Sequence, residues 1–336
     1  DHHNVLNHEE WQRQNNNFTP IISKEISTSN GHVLQLGVDD DVIYEIPNGK
    51  ERTTENLRNE FIRICNEIRK KDGLPQVNHP FDVSFSTRYN SEFWDMAQIF
   101  ESIEIWNGAT PFAAGTINAK AFKKWLSLLE DGKRLTATTG SDTHNIYGDD
   151  YFGMAEWLDW LMDIVMKHPE IYPVQMNEKV AYLTWLYKKV WPRLLSWVEQ
   201  SNTPSTIHNY VYTNGKNQPQ EILQAIREGH SFISNGPLIT AEINGVSYGD
   251  TATLKDNAGK LSVHVFSKKP IDHLWMYTGV DKKVEICTES DRLEGGFAYD
   301  AVTDAFDFGG ASWALFVADG GENNLAISNP ILFAFN

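Results

Sequence analysis

The sequence predicts an α/β fold in which a barrel-like first domain is followed by a small β-sandwich domain. In the first part of the chain, short apolar strands alternate with amphipathic helices, a pattern typical of parallel strands joined by crossover helices. Towards the end, short strands are separated by turn residues, which favours a sandwich. Residues of metal-ligand type follow several strands, where barrels of this kind build their sites. We therefore assign 1–235 to the barrel and 236–336 to the sandwich.

Each helix of the first domain is predicted from apolar residues at helical spacing, and each strand from a short apolar run bounded by turn residues. Gly73 and Gly132 follow the two helices as stop signals. The predicted elements are a strand over 33–38, a helix over 54–71, a strand ending at Asn78-His79-Pro80, a strand over 103–107, a helix over 118–131 and a strand leading to Gly140.

Residues 151–200 interrupt this alternation and are rich in Trp. We predict a helical insert whose aromatic side chains pack among themselves, the alternative being a lid or an aromatic wall over a site. A helix is predicted at Pro219–Glu228, with Pro at its start and Gly229 just past its end. The predicted strands of the sandwich are 261–266, 274–278, 312–317 and 331–335.

Composition excludes some partners. The net charge of −16 argues against nucleic acid, since phosphate binding needs a basic surface. No apolar run is long enough to cross a membrane, so we expect no membrane as a partner. The expected partner is a small-molecule substrate. Cys65 and Cys287 are expected to be buried thiols and not a disulfide. The cellular compartment stays open, with export among the possibilities, and so does the oligomeric state. Because the chain begins at Asp1 without Met, we expect further residues upstream.

The segment Gly140-Ser-Asp142-Thr-His144 is the strongest functional signal. An Asp and a His two residues apart, directly after a short buried strand, project two metal ligands into the same space. Nitrogen and carboxylate ligands without Cys suit Zn, Mn or Fe. Four more ligand-type residues lie at predicted strand edges, namely His2, Glu25, His32 and His79. Together these six positions predict a metal centre.

These motifs resemble, in order and spacing, those of the PHP (polymerase and histidinol phosphatase) superfamily, and within it the CehA/McbA-like metallohydrolases. The resemblance implies a distorted (β/α)7 barrel with 151–200 as an insert. It rests on Asp1-His2, Glu25 with Gly31-His32-Val-Leu, Asn78-His79-Pro80-Phe81, Ile103-Glu-Ile-Trp-Asn-Gly108, Gly140-Ser-Asp-Thr-His144, Glu221-Ile-Leu-Gln-Ala-Ile-Arg-Glu-Gly229 with Phe232-Ile-Ser-Asn-Gly-Pro237, and Ala326-Ile-Ser-Asn-Pro-Ile-Leu332.

The resemblance also implies a centre of two or three divalent ions. The Glu matching Glu25 bridges two of them, and the residues matching His32 and His79 complete the second. The Asp matching Asp142 binds the first. The resemblance thus makes Glu25 and Asp142 both ligands and catalytic residues.

The residues matching His2 and His144 serve a third metal position or orient the attacking water, and His144 is the third predicted catalytic residue. The chain departs from the family in its first motif, a His-x-His at the end of the first barrel strand, because it begins after that motif. Glu104 either lines the site or pairs with a Lys.

Divalent ions sharing a carboxylate activate water and stabilise negative charge on a substrate oxygen, so phosphoester hydrolysis is the predicted reaction. Two alternatives stay open. The first is carbamate or amide hydrolysis, for which the Trp-rich insert would offer an apolar wall. The second is a non-catalytic binding module with a degenerate metal site. No Ser-His-Asp, Cys-His or Gly-rich phosphate-loop arrangement is recognisable in the sequence.

Overall fold

A computed structural model describes residues 19–28, 30–40, 42, 53–82, 88–108, 112–142, 207–287, 289–321 and 323–336. The chain divides into two compact units, Asp1–Gly140 with Ile207–Asn336, and Ser141–Thr206. Every described residue except Ser141 and Asp142 belongs to the first unit. The predicted helical insert at 151–200 lies outside the described residues.

The first sheet contains five strands in the order β1-β2-β3-β4-β5. The β1, β2 and β3 strands are antiparallel neighbours, whereas β3, β4 and β5 run parallel. Its strands are β1 (Ser23–Thr28), β2 (Gly31–Leu36), β3 (Leu74–Asn78), β4 (Ser102–Asn107) and β5 (Thr136–Gly140). The connecting helices are α1 (Thr54–Lys70), a 3₁₀ segment (Ser91–Ile99) and α2 (Ile117–Glu130).

The two faces of this sheet differ in chemistry because side chains alternate along each strand. Val33, Val77 and Ile103 pair across three strands and belong to one hydrophobic core with α1 and α2. The opposite face carries polar residues, which are nevertheless buried: Glu25, His32, Gln76, Asn78, Ser102, Glu104 and Thr138. A buried polar face must satisfy its hydrogen bonds internally, which makes it the natural place for a site.

The remaining strands form two further sheets. Sheet 2 has the order β10-β18-β16-β17-β7-β6, with β12 also paired to β16 and β13 to β12; sheet 3 has the order β14-β15-β11-β8-β9. Ile239, Val265 and Phe316, from both sheets, share a second hydrophobic core. The elements are β6 (His208–Val211), α3 (Pro219–Glu228), β7 (Ser231–Ser234), β8 (Leu238–Ile243), β9 (Val246–Ser247), β10 (Thr251–Leu254), β11 (Ala258–Ser267), β12 (His273–Gly279), β13 (Lys282–Cys287), β14 (Asp291–Leu293), β15 (Gly296–Asp307), β16 (Trp313–Asp319), β17 (Leu325–Ser328) and β18 (Ile331–Phe335).

The prediction of a (β/α)7, TIM-like barrel is wrong. The described strands form three open sheets, none of them closed on itself, and strands far outnumber helices. The next described strand after β5 is β6, and it pairs antiparallel with β7 instead of extending the first sheet. The outer edge of β5 is bound by two side-chain amides, because Asn209 bridges the N–H and C=O of Thr139 and Asn329 those of Ala137.

The predicted division into domains at residue 235 is untested and stays a prediction. That boundary falls between β7 and β8, and sheet 2 contains strands from both sides of it. Both cysteines are free, Cys65 fully buried in α1 and Cys287 only half-buried at the end of β13. Among the helices of the described ranges, none is both long and apolar enough to cross a membrane.

The turn between β1 and β2 depends on Gly31. Its φ is +115°, and a Cβ there would lie 2.7 Å from the Cα of Tyr89. We expect Gly31→Ala to lower the free energy of unfolding by about 3 kcal/mol, measured by urea denaturation. The added methyl group would clash with the backbone of Tyr89, which can move only if the surrounding structure shifts with it. Gly132→Ala is the control, since φ is +75° there but open space surrounds the position, and its cost should be about 1 kcal/mol. Equal losses would contradict the steric explanation.

Candidate metal centre

Three adjacent strands bring Glu25, His32 and His79 together. Glu25 lies on β1 and His32 on β2, where His32 pairs with Ser27, two residues beyond Glu25 on the same face. On its other side His32 pairs with Asn78, the last residue of β3, and His79 follows directly. The period of two along antiparallel strands therefore places Glu25 and His32 on one face. His79 lies just beyond the end of β3, and its left-handed φ of +24° accompanies a ring position 3.0 Å from Glu25 Oε1 on that same face.

One carboxylate oxygen is the centre of this cluster. Glu25 Oε1 lies 3.0 Å from His79 Nε2 and 3.1 Å from His32 Nδ1. The same oxygen accepts a hydrogen bond of 2.9 Å from Asn78 Nδ2. The two imidazole rings meet edge to face, with centroids 4.9 Å apart. Two nitrogen donors and one oxygen donor thus point towards a common space.

The cluster is buried, and its charge is stabilised from within. Glu25 is 9% exposed, and burial alone would raise the pKa of its carboxyl group. Hydrogen bonds with His32, His79 and Asn78 outweigh that effect and hold the pKa of Glu25 well below its ordinary value. Glu25 is therefore an ionised, acceptor-only group at neutral pH.

The backbone of His79 adopts a conformation that side chains rarely take, with φ +24°. Its N–H donates to Glu104 Oε2 at 2.6 Å, and Pro80 follows it. Glu104 is buried on β4, the strand next to β3. This short hydrogen bond holds the strained residue in place, as is common at functional sites.

The donor set fits a divalent transition metal. Two ligands about 2.1 Å from a zinc ion, at a tetrahedral angle, lie about 3.4 Å from each other. The separations of 3.0 and 3.1 Å in the cluster need only a small expansion to reach that value. Among the described residues, this is the one group of three or more His, Cys, Asp or Glu side chains with donor atoms within 4.8 Å of one another. Imidazole and carboxylate without thiolate suit Zn, Mn or Fe.

The other predicted ligands are not part of this described cluster. His2 and His144 lie outside the described residues. Asp142 is the second residue after β5, has a φ of +51° and belongs to the second compact unit. Their roles as ligands, and those of Asp142 and His144 in catalysis, stay predictions.

Sequence reasoning missed the amide side chains of the site and left Glu104 undecided. Asn78 stands in the motif Asn78-His79-Pro80 with no predicted role of its own, although it donates to Glu25. Gln76 lies two residues before Asn78 on the same face. The available signal was strand period, since 76 and 78 alternate with the apolar Val77 and share a face with His32.

A Ser-His-Asp chain that the sequence does not reveal lies on sheet 3. Ser262 Oγ is 2.9 Å from His264 Nε2, and His264 Nδ1 contacts Asp300 on the neighbouring strand. His264 and Asp300 are both more than half exposed. The β11 strand is paired on both sides, so its backbone N–H groups are used in the sheet and offer no oxyanion hole. We therefore assign no nucleophilic site to this chain of residues.

Comparison of the chain with protein-family models, with curated proteins and with solved structures gives no match.

Proposed function

We propose that the chain is a metal-dependent hydrolase with Glu25, His32 and His79 among the ligands of its metal centre. The observation that supports this most directly is that their three donor atoms lie within 4.8 Å of one another on the buried polar face of the first sheet. Buried carboxylates and imidazoles without such a purpose are rare, since each costs desolvation energy.

The side chains around the cluster of Glu25, His32 and His79 are arranged in a way that favours binding of a cation. Glu25 supplies a fixed negative charge, and Asn78 holds its Oε1 in place. Glu104 binds the backbone of His79, which keeps that imidazole directed at the cluster. A divalent ion held there would supply an activated water and a Lewis acid for hydrolysis, lowering the pKa of the bound water to about 7.

The proposed substrate is a small molecule with a phosphoester bond. This part of the proposal is supported by the resemblance of the motifs to the PHP superfamily and its CehA/McbA-like branch. It includes a centre of two or three Zn, Mn or Fe ions, with His2, Asp142 and His144 as the further ligands. An acidic protein needs bound cations to attract an anionic substrate, which is consistent with the net charge of −16.

Elemental analysis of the full chain, purified without chelator, tests the proposal. We expect at least about one equivalent of Zn, Mn or Fe, and metal-dependent hydrolysis of an aryl phosphoester. His79→Ala should reduce both strongly. His273→Ala is the matched control, because His273 forms a similar bond of 2.6 Å to Glu285 on an exposed surface. Less than about half an equivalent of metal, unchanged by His79→Ala, would remove the basis of the proposal.

A non-catalytic module is the second candidate. The observation that favours it is that Glu25 Oε1 already accepts a hydrogen bond from Asn78 and lies within 3.1 Å of ring nitrogens of His32 and His79, as in a purely structural cluster. Hydrolysis assays with phosphoester, carbamate and amide substrates separate the candidates. Metal binding without turnover of any of them would favour the module, whereas turnover of the carbamate or amide alone would move the proposal to that reaction.

A further inference from the structure

A chain of hydrogen bonds crosses the polar face of the first sheet and ends at Glu25. Ser102 Oγ and Thr138 Oγ1 donate to Gln76 Oε1 at 3.0 and 2.8 Å. Gln76 Nε2 donates to Asn78 Oδ1 at 2.8 Å, and Asn78 Nδ2 donates to Glu25 Oε1 at 2.9 Å. We call these residues, from the two hydroxyls to Asn78, the Gln76 chain. All of them are buried, so bulk water does not compete for their bonds.

The direction of these bonds is set by chemistry at the Glu25 end. An ionised carboxylate only accepts, so Asn78 must turn its NH2 group towards Glu25. The Oδ1 of Asn78 then faces Gln76, which must present its own NH2 group. The oxygen of Gln76 is left facing two hydroxyls, which can donate to it. Reversing either amide would place two oxygens against each other, so the Gln76 chain of hydrogen bonds has a single orientation.

We propose that Gln76 is a positioning residue of the metal centre, which acts through Asn78 to orient the Glu25 carboxylate towards the cation. This inference rests on the proposed function. The amide of Gln76 joins side chains of three strands, β3, β4 and β5, and so holds Asn78 in one orientation. Residues that orient a metal ligand from behind commonly alter metal affinity by 10- to 100-fold when they are changed.

The test compares two buried glutamines of the first sheet. Gln76→Met keeps the length of the side chain and removes its hydrogen bonds. Gln35→Met is the matched control, because Gln35 is fully buried on β2 but its amide bonds only backbone groups of Val38, Asp40 and Val42 in the described structure. The zinc affinity of each full-length, metal-free variant is measured by competition with a chromophoric chelator. Thermal melting shows that each one is folded.

We expect Gln76→Met to bind zinc about 10- to 100-fold more weakly than the wild type, and Gln35→Met to stay within about threefold. A purely structural role would give both variants the same zinc affinity, and that result would overturn the inference. A wild-type protein without affinity for zinc, manganese or iron would overturn the proposed function as well.

A milder variant keeps the inference testable if Gln76→Met does not fold. Ser102→Ala combined with Thr138→Val removes both donors to Gln76 Oε1 and leaves Gln76, Asn78 and Glu25 themselves unchanged. The amide of Gln76 then loses the bonds that fix its oxygen end, and we expect zinc affinity to fall by at least about threefold. An unchanged affinity in this folded double variant would also overturn the inference.

Discussion

Glu25→Gln is expected to lower the affinity for zinc at least about 100-fold. The effect exceeds that of Gln76→Met because the charged ligand itself is removed, whereas Gln76 only orients that ligand. Glutamine has nearly the same shape, so packing in the buried cluster is preserved. Its amide must direct either a neutral oxygen or an NH2 group towards His32 and His79. The loss is measured by zinc titration against a competing chelator at neutral pH.

The matched control for this change is Glu285→Gln. Glu285 also bonds a histidine, His273, but both side chains are at the surface of sheet 2. We expect its zinc affinity to equal that of the wild type. Tight zinc binding by Glu25→Gln would show that the described cluster is not the metal centre. The predicted ligands Asp142 and His144 would then be the remaining candidates.

Asn329→Asp is expected to lower the free energy of unfolding by about 3–5 kcal/mol. Asn329 is 1% exposed; its Oδ1 accepts from the N–H of Ala137, and its Nδ2 donates to the carbonyls of Ala137 and Ser231. Aspartate has the same shape but would set a buried charge against those carbonyl oxygens. Urea denaturation of the metal-free protein measures the effect.

Asn209→Asp provides the comparison. Asn209 forms the same pair of hydrogen bonds with Thr139, accepting from its N–H and donating to its C=O, yet Asn209 is exposed. Water can solvate a new charge there, so we expect a loss below about 1 kcal/mol. Similar losses for the two substitutions would mean that burial is not what makes the bridge of Asn329 important.

The helices could be predicted from the sequence because their signals are local. The predicted helix over 54–71 is found at Thr54–Lys70, and the one at Pro219–Glu228 has those same bounds. Apolar spacing, caps and a following Gly or Asp-Gly decide such elements within a few residues. The strand that is followed by His79, β3, also follows from a local pattern.

The arrangement of the sheets could not be predicted in this way. Alternation of strands and helices suggested that the first sheet would keep growing, but its growth ends at β5, where amides from Asn209 and Asn329 occupy the edge. Those two residues lie 70 and 192 positions from their partners. Pairing over such distances leaves no periodic trace in one sequence.

The site was predictable in part for a related reason. Glu25, His32 and His79 belong to residue types that rarely lie buried without a role, so their pattern was recognisable. Gln76, Asn78 and Ser102 alternate with apolar residues in the way that solvent-facing residues do. Only the fold shows that this polar face is enclosed.

The three ligands of the cluster are synthesised early, because β1, β2 and β3 precede the other described strands in the sequence. All three ligands of the cluster come from residues 25–79, a contiguous segment whose described residues form one hairpin, one helix and β3. Contacts between neighbours in sequence form early, and amino-terminal segments leave the ribosome first. These three ligands are therefore made before the later sheets, so that the metal ion of the proposed function would be available to the folding chain before it is available to any substrate.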